Sequence, residues 1–173
     1  MEATNVVSYT KPVELYGTPM AITDRRISLD TAKRYGVTSD DCKQYYPYYD
    51  RDGKLIGSKV RTVETKEFST RGDMRNNVLF GQQLFNTGGR YVTVVEGELD
   101  ALAAYEMLGS RYPVVSVSKG AAGAVKDFKQ NLEWLEGFEN VVICFDNDGA
   151  GKEAAEKCAQ VLSPNKAKIV TLG

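Results

Sequence analysis

The residues of this chain best suited to chemistry are carboxylates, and they gather at two places. Glu96 stands in Val94-Val95-Glu96-Gly97-Glu98-Leu99-Asp100, directly after an apolar run. Asp146 and Asp148 stand in Cys144-Phe145-Asp146-Asn147-Asp148-Gly149-Ala150-Gly151, after another. In an extended segment residues two apart point the same way, so Asp146 and Asp148 face one side. Carboxylates brought within a few ångströms oppose one another's ionisation. A hard divalent cation relieves that repulsion, and Mg2+ takes one or two carboxylates while keeping waters and phosphate oxygens. Taken singly, each acid has a plainer use. Asp100 can complement the dipole at a helix start, Glu98 reads as an exposed first-turn acid, and a lone Asp-x-Asp can serve a turn. The combination with Glu96 moves the reading toward metal-assisted chemistry.

Other chemistries are excluded by composition. The chain has no histidine, which removes Ser-His-Asp and Cys-His catalysis and every metal site built on imidazole. Its three cysteines, Cys42, Cys144 and Cys158, form no CxxC pair and read as neutral, mostly buried thiols rather than a disulfide framework or zinc knuckle. Gly149-Ala150-Gly151-Lys152 looks like the end of a P-loop. However, the motif's first glycine is missing and Glu153 stands where it needs Ser or Thr, so no ATPase motif is present.

Elements of regular spacing must position these acids. Tyr91–Val95, Val114–Val117, Val141–Phe145 and Ala167–Leu172 read as strands, with helices over Leu99–Leu108, Val125–Leu135 and Gly151–Leu162 between them. That alternation predicts an α/β fold with a parallel sheet and helices on both faces. In such sheets ligands bind outside the carboxyl ends of the strands, where Glu96, Asp146 and Asp148 fall. The first half predicts a smaller mixed α/β unit. Ser28 caps a helix over Leu29–Tyr35 that Gly36 ends, Tyr45–Tyr49 and Lys54–Val63 flank the turn dipeptide Asp52-Gly53, and Val78–Phe85 reads as a short helix. The glycine pair 88–89 suggests a boundary, giving subdomains 1–87 and 88–173.

Net charge is −1, so the whole chain carries no electrostatic signature of nucleic acid. Between Arg51 and Arg75, seven basic residues against four acids leave a local excess of +3. No stretch approaches the roughly 20 apolar residues of a membrane span. Residues 1–9 show no basic-then-apolar leader, and a cytoplasmic location is the expectation.

The acidic segments also resemble a known family. Glu96-Gly97-Glu98-Leu99-Asp100 resembles the first TOPRIM motif, and Asp146-Asn147-Asp148-Gly149-Ala150-Gly151-Lys152-Glu153-Ala154 matches the second, DxDxxGxxA. Ile22-Thr23-Asp24-Arg25-Arg26-Ile27-Ser28, Ser58-Lys59-Val60-Arg61, Val78-Leu79-Phe80-Gly81 and Tyr112-Pro113-Val114-Val115-Ser116 are similar to the primase half of phage primase–helicases, a Twinkle-like architecture. The likeness covers about residues 20 to 173. It implies the RNA-polymerase domain of a phage-type DNA primase, making short RNA primers on single-stranded DNA from ribonucleoside triphosphates. It further implies Glu96 and Asp146 as both catalytic and metal-holding, with Glu96 the catalytic acid, and Asp148 and Asp100 as further ligands of Mg2+ or Mn2+. Lys59, Arg61, Lys66 and, more weakly, Lys119 become candidates for nucleotide or template contact. The family's cysteine-rich zinc module and helicase half do not occur in these 173 residues, and the family continues past the position of Gly173 with another acidic segment. The expectation is an excised, monomeric domain, or one that works with a replicative helicase and zinc-binding module in cis or trans. Two alternatives stay open: a metal-dependent TOPRIM nuclease, and a non-catalytic module that binds DNA or a helicase.

Overall fold

A computed structural model describes residues 12–171. Ser28 begins α1 (Leu29–Tyr35), its hydroxyl accepting from the Thr31 amide at 3.2 Å, and Gly36 ends it with φ +72°. An antiparallel sheet follows, β1 (Thr38–Ser39), β2 (Lys43–Tyr49), β3 (Leu55–Thr62) and β4 (Phe68–Gly72), in the order β1-β2-β3-β4. The expected hairpin is β2–β3, with Tyr45 opposite Val60 and its turn held by Asp50, whose Oδ1 accepts from the Asp52 and Lys54 amides.

Val78–Phe85 does not form the expected helix. Phe80 bridges to Ser116, and only Gln82–Leu84 makes a 3-10 turn. Gly81 explains the break. Its φ is +85°, and an added Cβ would lie 2.6 Å from the Tyr35 ring, so the chain turns against that ring instead of coiling past it.

The second half is the expected parallel sheet: β5 (Gly89–Val95), α2 (Glu98–Met107), β6 (Val114–Ser116), α3 (Gly120–Gln130), α4 (Leu132–Glu136), β7 (Phe138–Cys144), α5 (Gly149–Val161) and β8 (Ala167–Ile169). All pairings are parallel, in the order β6-β5-β7-β8. The single helix expected over Val125–Leu135 is two helices broken at Asn131. There the backbone leaves helical geometry, at φ −113° and ψ 20°, and the Asn131 side-chain amide joins its own N–H on the Asp127 carbonyl, at 2.9 and 3.1 Å. The last strand is shorter than expected, and Leu172 lies outside the described residues.

Alternation along the strands builds two cores. Val92, Val94, Val115, Val141 and Ile143 face α3, α4 and α5. On the other face Val95 and Val114 meet Ala101, Leu102 and Tyr105 of α2, together with Tyr35, Tyr46, Tyr48 and Phe80 from the first half. The seam between the two sheets is therefore itself a core, and the Tyr35 hydroxyl crosses it to the Val114 carbonyl at 2.6 Å. Among the described residues no helix is long and apolar enough to cross a membrane. Cys158 is buried, Cys144 half-buried and Cys42 exposed.

Candidate active site

The central strands β5 and β7 are neighbours, with Val95 in register with Cys144, so Glu96 and Asp146 leave the sheet side by side at its carboxyl edge. Asp148 caps α5, its Oδ1 accepting from the Gly151 amide at 2.6 Å. That turn is tight enough that a Cβ on Gly151 would lie 2.2 Å from the Asp146 carbonyl oxygen, so glycine at 151 sets where Asp146 can sit. Asp100 lies in the first turn of α2 on the same rim.

The edge is negative and partly desolvated. Burial first, then the Asp146 carboxyl close enough to share a proton, push the Glu96 carboxyl up to about 7, and Asp148 adds to it. Oε1 of Glu96 is buried without a hydrogen-bond partner. The Asp100 residue is open to solvent overall, but protein crowding its carboxyl, followed by the Asp146 charge, raises it. Burial, Asp100 and Asp146 together raise the Cys144 thiol. Arg25, just before the left-handed Arg26, is the cation that opposes this field at Asp100. No local pattern in the sequence singles Arg25 out, since it lies about 70 positions before Glu96 and farther still from Asp146.

Among the described residues no three His, Cys, Asp or Glu side chains already enclose a metal position. Glu96 and Asp146 come together, Asp100 is within their field, and Asp148 spends one oxygen on its helix cap. An oxygen-only set of this kind, with an orphaned carboxylate atom, fits a hard divalent cation that completes its shell with water and phosphate. A cavity of about 470 Å³ between the β2–β3 turn and α4 is lined by none of these carboxylates.

The basic candidates are scattered. Lys59 bonds Glu98 at 2.6 Å and lies 5.4 Å from the Phe68 ring centroid. Arg61 is buried and donates to Gln44 Oε1 at 3.1 Å. Lys66 is exposed in the β3–β4 turn with φ +61°, and Lys119 is exposed after β6. The expectation of an exposed Glu98 is corrected. It is 4% exposed and also accepts from the Tyr48 hydroxyl at 2.5 Å, because the hairpin folds over the start of α2.

Residues 93–172 match a Toprim-like family model, and residues 17–72 match the N-terminal α+β fold of the bacteriophage T7 DNA helicase/primase. The crystal structure of the primase fragment of the bacteriophage T7 primase–helicase superposes with a TM-score of 0.85 at 36% identity, covering 94% of this chain and 71% of that one. The chain belongs to the primase part of the T7-type primase–helicase family. The DNA helicase/primase of Enterobacteria phage T3 is 37% identical over 155 residues, 87% of this chain and 27% of that protein, so the chain spans about a quarter of its curated relative's length. The DnaG catalytic core shares the primase fold at 18% identity, with a TM-score of 0.62.

Proposed function

We propose that this chain carries the nucleotidyl-transfer site of a DNA primase and makes RNA primers on single-stranded DNA. The observation that supports it best is the pairing of Glu96 with Asp146 at the carboxyl ends of β5 and β7, with one buried carboxylate oxygen left without a donor. In the reaction the 3′-hydroxyl of the growing primer attacks the α-phosphorus of a ribonucleoside triphosphate. The O–P bond forms, pyrophosphate leaves, and the hydroxyl proton passes to Glu96. Burial and its acidic neighbours make Glu96 a better proton acceptor than an ordinary carboxylate. Asp146 and the free oxygen of Asp148, supported by Asp100, would hold Mg2+ or Mn2+, which supplies positive charge to the triphosphate oxygens. Lys66 and Lys119 are the exposed basic candidates for phosphate contact. Lys59 and Arg61 would serve only by leaving their present partners.

The partners in this reading are single-stranded template, ribonucleoside triphosphates, and a replicative helicase and zinc-binding module in cis or trans. A solved complex whose matching chain is 36% identical to this one contains T7 lagging-strand DNA polymerase interacting with primase domains, together with an RNA/DNA hybrid and dTTP, which supports the assignment. The same reading divides the chain into subdomains 1–87 and 88–173. The test is extension of a pre-annealed dinucleotide on single-stranded DNA with labelled ribonucleotides and Mg2+. Extension is expected from the wild type and lost in both Glu96→Gln and Asp146→Asn. Strand cutting without added nucleotides, dependent on the same acids, would overturn the reading in favour of a nuclease.

A further inference from the structure

One basic surface enters the reading above only through Lys119, and most of it is not used there. Lys119, Gly123, Lys126 and Gln130 recur at intervals of four, three and four, which places them along one face from the cap of α3 to its last residue. Together with Met74 and Arg75 at the end of the antiparallel sheet they line a cavity of about 190 Å³. Gly123 keeps the floor of this groove low, since a Cβ there would lie 2.6 Å from the Lys119 Cβ. Both lysines are exposed, and neither has a carboxylate within ion-pairing distance among the described residues. The acids nearby are already engaged. Asp127 is buried and takes the Ser118 amide at 2.6 Å and hydroxyl at 2.8 Å, while Asp73 grips Arg75 at 2.6 Å. Arg75 thus adds a wall more than a free charge, and the net charge of the groove comes from the lysines.

Its position gives the groove a purpose. Val117 donates to the Val95 carbonyl at 3.1 Å, so the β6–α3 connection carrying Lys119 starts beside Glu96. From there the stripe runs along α3 away from the carboxylates. A flat, cation-lined track leading out of an acidic centre complements a chain of phosphates better than one compact anion.

We infer that the Lys119–Lys126 face of α3 is a docking groove for the phosphodiester backbone of single-stranded nucleic acid running to or from the acidic edge. The inference rests on the nucleotidyl-transfer reading only for the strand's identity as template. Its test is the binding of the whole chain to a fluorescein-labelled oligo(dT), followed by anisotropy across a salt series. Lys119→Gln/Lys126→Gln is compared with Lys33→Gln/Lys168→Gln, which removes equal charge from α1 and β8. For two lost phosphate contacts, affinity falls on the order of tenfold near 0.1 M salt and the log–log salt slope becomes shallower by about 1.4. The control pair leaves both nearly unchanged. Equal losses in the two variants, or no loss in the groove variant, would overturn the groove. So would weakened binding of a ribonucleoside triphosphate with unchanged oligo(dT) binding, which would assign the lysines to the triphosphate. Glu96→Gln separates the two ideas. If it abolishes synthesis while the groove variant binds normally, the groove fails and the reading stands. If the groove variant binds weakly while Glu96→Gln synthesises normally, the reading fails and the groove stands.

Discussion

Glu96 at the open edge of the parallel sheet and Glu98 at the seam with the antiparallel sheet are separated by one glycine, yet their surroundings are opposite. Glu98 is surrounded by donors, Lys59 and the Tyr48 hydroxyl, and is sealed from water. Glu96 faces Asp146 and keeps one buried oxygen without a partner. A carboxylate whose bonds are all met inside the protein holds the fold together. One left short of positive charge is held ready for a charge from outside. The difference teaches that position after a strand does not by itself set an acid apart from the fold's own bonding; its unmet bonding does.

The strongest way to break this comparison is to neutralise each region in turn. Asp146→Asn is expected to lower primer extension on the order of 10³-fold. Its urea unfolding midpoint should stay level or rise, because a like-charge contact is relieved. A fall in stability would place Asp146 with the architectural acids. Glu98→Ala should behave in the opposite sense, losing about 3 kcal/mol of unfolding free energy by leaving Lys59 half-buried without its counter-charge. An unchanged midpoint there would remove the distinction between edge and seam. Tyr48→Phe sharpens the same point with a smaller loss of about 2 kcal/mol, the contribution of a hydrogen bond to a charged group. The smallest effect is expected in Lys59→Met/Glu98→Gln. Because both charges are removed together, this pair should be nearer to wild type than either Lys59→Met or Glu98→Ala, measured in one denaturation series.

The two regions also differed in how far they could be read from the residues. The acidic edge was legible because strand, acid and glycine follow one another within a few positions, and the rule that sites lie at strand carboxyl ends did the rest. The helix over Leu29–Tyr35 was legible because Ser28 and Gly36 are local signals at its two ends. The strand Phe68–Gly72 was not, since it is a mostly exposed edge strand with no alternating apolar face. Long-range packing hid the remainder. Nothing near Gly81 in the sequence announces the Tyr35 ring, and nothing near Glu98 announces Lys59, which arrives from 39 positions away across the seam. Nothing local marks Asn131 as a helix break, because its side-chain bond to the Asp127 carbonyl exists only once α3 has formed.

The division of aromatic residues between the two cores has a consequence for observing the molecule. The one tryptophan, Trp134, packs against the core beneath α3–α5, with its ring centroid 4.9 Å from that of Phe138. Among the described residues Tyr35, Tyr46, Tyr48 and Tyr105 lie in the seam core, and no tyrosine lies in the other. The chain therefore carries two intrinsic optical reporters, indole emission for one core and the tyrosine near-UV dichroism band for the seam. A loosening of the hairpin over α2 would dim the second signal and leave the first at its native value.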